Sequence, residues 1–422
     1  MLRFAPSPTH DMDLRDLRIA LLNYVVSQQK GEDFIVRFND LDKDKVVEEK
    51  DKDFLGILDL FNVRYTQVIH QSENFRFHSA MALQLLHEKK AFSCFCSDEW
   101  LTKKMDEAKS AKISYKYDDA CASLPAELVI DNLNPFSVRI HKSNHDVIVK
   151  DLIQGDVAFS VDEQESFVIM NRDKTPTEIF ATAVDDMLND ISYVIQDEEF
   201  IEDVPKQEYV RKSLQYDKKI EYAHVPPILD ANVSVIKLLE EGFLPEAILN
   251  YLVSSLNENF SETFSIEDLI KRFSFKNCSL SSLSFDKKQL AKINQKYLMQ
   301  LDPKELSRYL GFADEEIGLL AKVFIANVHT MKELRAKVEP IFEKKTFADE
   351  ISKEANEVIL SIKNAPYFDS YEDFKTFLLN NNSVDESLLE EILQITFTGS
   401  KQVVNLSEVY KYLKNYLGEI IK

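Results

Sequence analysis

The first forty residues alternate between short apolar blocks and one long amphipathic stretch. Residues 2–5 are an apolar run, and a loop with Pro6 and Pro8 follows. Leu14, Leu17, Leu21 and Tyr24 recur at the spacing of a buried helical face, and Gly31 stands where a left-handed residue ends a helix. Phe34-Ile35-Val36-Arg37-Phe38 then reads as a compact buried strand. A strand–helix–strand opening predicts a parallel, doubly wound sheet. Across 91–165 the apolar runs shorten, with strand-like stretches such as Val147-Ile148-Val149, and this segment reads as an insertion. The sheet pattern resumes at 166–170, passes a helix containing Asp185-Asp186, and returns at 191–195. From about residue 232 nearly everything is helical in period. One helix closes at Gly242, Pro245 opens the next at a favoured first-turn position, and Asp302-Pro303 and Gly311 frame another. The expected fold is a doubly wound (Rossmann-type) α/β domain split by an α+β insertion, followed by an all-helical C-terminal half.

Length and composition narrow this picture only slightly. A chain of 422 residues exceeds one ordinary core, so two to four domains are expected. No apolar run reaches the roughly 18 residues of a membrane span, and the N-terminus has no apolar signal core, so a cytoplasmic protein is expected. The net charge of −21 argues against non-specific nucleic-acid binding, and gives no reason to expect DNA or a membrane as partner. It leaves room for a local basic face on an acidic body.

Against this background the motifs carry the argument. Arg3-Phe4-Ala5-Pro6-Ser7-Pro8-Thr9 followed by Leu17-Arg18 resembles the opening of the glutamyl- and glutaminyl-tRNA synthetase family. Arg37-Phe38-Asn39-Asp40-Leu41-Asp42 resembles its Arg-x-Glu-Asp-Thr-Asp segment. Residues 166–186, Pro205-Lys206-Gln207, Ala223-His224-Val225-Pro226, Gly242-Phe243-Leu244-Pro245-Glu246-Ala247 and Phe397-Thr398-Gly399 continue the series in the family's order. The resemblance covers essentially the whole chain and is closest to the bacterial glutamyl type. It implies a first catalytic-type half at 1–90, an acceptor-stem-binding-like insertion at 91–165 and a second half at 166–228. A helical stem-contact region at 229–305 and an anticodon-binding-like domain at 306–422 would follow. It also implies tRNA as a partner, with Asp185, Asp186 and Arg172 on the tRNA side, and Arg211 and Lys212 as further basic candidates.

The departures from the family pattern bear on chemistry. The family places Gly after Thr9 and opens the helix with His-x-Gly; here these positions are His10, Asp13 and Arg15. Arg15 would fill space meant for the adenine ring. Asp13 and Asp16 would repel a triphosphate by about a kcal/mol or more per close pair. Asp13 is better read as a helix N-cap. After Asp230 the family's Lys-Met-Ser-Lys-like loop is missing with roughly ten residues of the pattern, and Lys237 belongs to the next helix. In the amino-acid pocket Arg3 and Ser7 match, whereas Asn39, Glu178, Ile179 and Gln196 replace the expected residues beside the acidic run Asp197-Glu198-Glu199. An Arg that clamps a carboxylate is not replaced by Gln without loss.

Cys94, Cys96 and Cys121 match three ligands of a zinc site in some family members, but the expected histidine is Ser123. Tyr117, Asp118 or Asp119 would have to supply the fourth donor, and the alternative is three buried small side chains. His141, His145 and His224 are read as ordinary residues. Three functions compete: a non-catalytic synthetase-like protein binding tRNA or a synthetase or other translation-related partner, a divergent active glutamate–tRNA ligase, and a small-ligand sensor reusing the cleft. Only the active reading calls for ATP and magnesium.

Overall fold

The computed structural model describes residues 1–230, 232–260, 262–401 and 404–421. Strands β1 (Leu2–Phe4), β2 (Phe34–Phe38) and β3 (Gln67–His70) belong to one sheet. Strands β4 (Ala91–Cys94) and β5 (Ser137–Ile140) lie in another. The chain continues through β6 (Val147–Asp151), β7 (Gly155–Phe159), β8 (Phe167–Met170), β9 (Tyr193–Asp197) and β10 (Glu221–Val225). The main sheet runs β3-β2-β1-β9-β10-β6-β7 and is parallel except for the β6–β7 hairpin. The α-helices of this part of the chain are α1 (Leu14–Lys30), α2 (Lys50–Leu60), α3 (Phe75–His87), α4 (Asp98–Ser110), α5 (Ala126–Ile130), α6 (Glu178–Leu188) and α7 (Val204–Ser213).

Helix α1 forms where the sequence predicts. Asp13 is its N-cap, accepting from the Arg15 and Asp16 amides, while Asp16 reaches back to the Asp13 amide in a capping box. Gly31, at φ 65°, ends it in the left-handed conformation. Every residue from Leu17 to Ser27 is buried, because β1 and β9 pack on one side and the helix Ile266–Arg272 on another. Its interior polar groups therefore bond inward: Asn23 donates to the Ile195 carbonyl at 2.9 Å and Ser27 to that of Tyr24 at 2.7 Å.

Two expectations need correction. Residues 166–170 do not join the main sheet: β8 pairs antiparallel with β5, and β5 with β4, in a separate three-stranded sheet. Its apolar face, with Ile140, Phe167 and Ile169, shares a core with Phe180 and Val184 of α6 and Val210 of α7. Conversely the β6–β7 hairpin, inside the expected insertion, extends the main sheet through Tyr222 opposite Asp151. Strand pairing is non-local, so an apolar run in sequence does not reveal which sheet it enters.

The chain divides into two compact units, residues 1–236 with 252–285, and residues 237–251 with 286–422. The first includes a short parallel pair, β11 (Ile228–Leu229) with β12 (Leu283–Ser284). The second has one helical core that includes Leu306, Leu320, Leu334, Phe374, Leu393 and Tyr410. Its Phe397-Thr398-Gly399 motif has a packing role. Gly399 ends the helix Glu386–Thr398 at φ 72°, where a Cβ would lie 2.4 Å from the Pro340 side chain.

Candidate functional site

The carboxyl ends of β1, β2 and β9 open onto a cleft of about 280 Å³, where a doubly wound sheet holds its ligand. Arg3, Ser7, His10, Arg15, Asp16, Asn39, Glu178, Ile179 and Gln196 all line it, so residues separated by up to 193 positions converge as the sequence implies.

Two buried arginines form the floor. Arg3 grips Asp186 through Nε at 3.1 Å and Nη2 at 3.2 Å, and Arg37 reaches the same carboxylate through Nη1 at 2.6 Å. Burial opposes the Asp186 charge, but the two cations prevail and hold its carboxyl at about 2. Arg37 Nε and Nη2 are left without partners among the described residues. Asp185, next in α6, is bound by His78 at 2.9 Å, Gln71 at 2.9 Å and Asn74 at 3.0 Å. Both carboxylates are fully buried, which corrects their assignment to a tRNA-facing surface. They are internal anchors, and Asp186 fixes the two arginines.

Gln196 is held by a polar chain that the sequence reading missed. The Asp151 carboxylate accepts from the His224 backbone at 3.0 Å and from its ring Nδ1 at 2.6 Å. The ring's Nε2 then accepts from the Gln196 amide at 3.0 Å, and Gln196 Oε1 accepts from Arg3 at 3.5 Å. Burial opposes the Asp151 charge, and His224 with the Gln154 and Ile153 amides outweighs it and lowers that carboxyl. His224 is thus no isolated core histidine. Its partner Asp151 comes from the segment read as an insertion, so no sequence-local signal joined them.

The mouth is acidic. Burial pushes the Asp197 carboxyl up to about 6, with Arg18 opposing and Glu199 and Asp16 adding to the shift. Glu178, Glu199 and Asp203 also line the cleft. The Asp16 hydrogen bond raises the His10 pKa against its desolvation. Arg15 lines the cleft but is already engaged, with Asp13 at 2.8 Å and Asn232 at 3.1 Å. Asn232 belongs to the short connection after Asp230. Ser234 forms an antiparallel bridge with Asp13, and the Val235 amide donates to the Met12 carbonyl at 2.9 Å. The connection is thereby tied to the start of α1. Lys237 is exposed two residues beyond it.

The three cysteines do meet. The sulfurs of Cys94, Cys96 and Cys121 lie within 4.8 Å of one another, with Cys96 and Cys121 at 3.5 Å. The Tyr117 hydroxyl lies 3.4 Å from both Cys94 and Cys96, and accepts from the Cys121 amide at 3.2 Å. Tetrahedral zinc with bonds of about 2.3 Å needs sulfurs about 3.8 Å apart. The S₃O set fits such an ion, and of the three oxygens considered from sequence it is Tyr117 that contacts the sulfurs. Arg172 donates to the Cys96 carbonyl and faces Asp98 at 3.5 Å, bracing this loop. Arg211, another basic candidate, is buried and donates to the Tyr222 hydroxyl.

With this geometry in view, similar proteins place the chain. Residues 1–292 match the family of tRNA synthetases class I (E and Q), catalytic domain. Glutamate–tRNA ligase 2 of Sulfurimonas denitrificans is 50% identical over 432 residues, covering 100% of both chains. Glutamate–tRNA ligase 1 of Nitratiruptor sp. is 40% identical, again over 100% of both. A match spanning 432 residues against a chain of 422 leaves at least ten positions without a counterpart here. Among solved structures, a glutamate tRNA ligase of Elizabethkingia meningosepticum superposes with a TM-score of 0.81 at 20% identity, covering 99% of this chain and 97% of that one. Motif order, cleft and full-length similarity agree that the chain belongs to the class I glutamyl-tRNA synthetase family.

Proposed function

We propose that this chain is a pseudoenzyme of its family, unable to make aminoacyl-adenylate and acting by binding tRNA or a protein of the translation apparatus in the cytoplasm. The observation that carries the reading is the connection between β11 and the helix Val235–Glu240. It is too short for a lysine-bearing loop and is bound by Ser234 and Val235 to the backbone beside Asp13. Phosphoryl chemistry depends on cations placed around the transferring charge. Here Arg15 is spent on Asp13 and Asn232, while Asp16, Asp197 and Glu199 crowd the mouth. Losing one such contact costs about a hundred- to a thousandfold in rate, and several are missing together.

The test is glutamate-dependent exchange of pyrophosphate into ATP, with and without tRNA, in protein free of the host's own synthetase. Exchange at background supports the reading, whereas a turnover of about 1 s⁻¹ or more, ordinary for such enzymes, would overturn it. The similarity to proteins named glutamate–tRNA ligase favours the second reading, a divergent ligase needing ATP and magnesium, and the same assay decides between them. In either case Cys94, Cys96, Cys121 and Tyr117 would hold zinc as a structural ion. A sensor using the cleft would have to satisfy both the open Arg37 donors and the acidic mouth.

A further inference from the structure

At the amino end of β10, sharing no residue with the cleft, lies a second cavity of about 380 Å³. Three separate elements bring cations to it: Lys150 from β6, Arg211 and Lys212 from the last turn of α7, and Lys218 and Lys219 from the loop before β10. Only two carboxylates, Glu208 and Asp217, line the same cavity, in a chain whose acidic residues outnumber basic ones by 21. Lys218 is paired with Asp190 at 2.5 Å. Lys150, Lys212 and Lys219 are exposed and have no ion-pair partner among the described residues. Arg211 is 3% exposed, with Nη2 on the Tyr222 hydroxyl and Nη1 without a hydrogen-bond partner.

Cations in a helix's last turn are ordinary, since they complement its dipole. That explains Arg211 and Lys212 but not the convergence of Lys150 and Lys219 upon them. A buried guanidinium with an idle donor is costly to maintain, and here it stands as a fixed cation behind the exposed lysines of the same cavity. We infer that this cavity is a phosphate-binding site, with Arg211 as its fixed base and Lys150, Lys212 and Lys219 as its movable arms. The phosphate is that of an RNA backbone or of a free nucleotide. The site adds a contact surface to the RNA-binding reading of the proposed function without depending on the state of the cleft.

The full chain is titrated with unfractionated tRNA, with ATP and with inorganic phosphate across a range of salt. It is compared with Lys150→Ala/Lys212→Ala/Lys219→Ala and with the equal-charge control Lys52→Ala/Lys89→Ala/Lys276→Ala. Because the triple variant alters exposed side chains only, an unchanged thermal melt will confirm its fold. The expected result is at least a tenfold loss of tRNA affinity in the triple variant beyond that of the control. The slope of log affinity against log salt should also become shallower by about two to three, near one per lost phosphate contact. A loss confined to ATP and phosphate assigns the site to a free phosphate compound instead. Absence of binding to all three probes, or a triple variant indistinguishable from the control, overturns the site. In the latter case persistent tRNA binding would leave the RNA-binding reading standing and place it elsewhere.

Discussion

At the scale of single residues, the molecule is organised around carboxylates that neutralise buried cations. Asp186 holds Arg3 and Arg37 at once, so removing it leaves two guanidinium groups short of charge. Asp186→Asn should cost about 3–5 kcal/mol at neutral pH, read by chemical denaturation. Its acid behaviour follows from the sign of the shift. The folded carboxyl lies at about 2, below its value in an unfolded chain. Its contribution is therefore complete above about pH 4 and is lost as pH falls toward 2, on the order of 2 kcal/mol. The variant should lack that component, and a denaturation series with the same acid limb in both proteins would contradict it. The sequence made some such roles readable and concealed others. Asp13 as N-cap and Gly31 as terminator are local signals, four residues or fewer from the groups they serve. The burial of Asp185 and Asp186 was hidden because their partners Arg3, Arg37, Gln71 and His78 lie more than a hundred positions away.

At the scale of elements, the cysteine loop after β4 makes the sharpest case. Cys94 and Cys121 are buried and Tyr117 stacks under the Arg139 guanidinium at 3.9 Å, so the donors are held before any ion arrives. Purified protein should contain close to one equivalent of zinc. Cys96→Ser should remove it, and Tyr117→Phe should weaken retention against a chelator while sparing the fold, as metal analysis and thermal melts would show. Metal-free protein whose melting is unmoved by chelation would reduce the cluster to a small apolar core. The spacing Cys-x-Cys singled out the cluster as a candidate, but that Tyr117, and neither Asp118 nor Asp119, touches its sulfurs became visible only in the folded loop. The same limit applied to β8: its apolar run was plain, its antiparallel partner β5 was not.

For the whole molecule, an excess of 21 negative charges sets the terms of any meeting with RNA. Attraction must come from local cations working against a repulsive mean field, so tRNA binding should weaken steeply with salt and should exceed random RNA at matched ionic strength. Equal affinity for both would leave a protein partner as the better assignment. The pinned connection after Asp230 carries a consequence in polymer terms. Closing a loop costs entropy that grows as (3/2)RT ln n, so shortening one from about fifteen residues to about five recovers roughly 1 kcal/mol. Inserting ten Gly and Ser residues between Asn232 and Val233 should therefore lower stability by about that amount, and more if the Asp13–Ser234 bridge opens. Substitutions at His10, Asp13 and Arg15 can restore the letters of a signature one at a time. Regrowing the loop demands a single large insertion that begins by destabilising the fold, so on the proposed reading a route back to catalysis would run uphill from its first step.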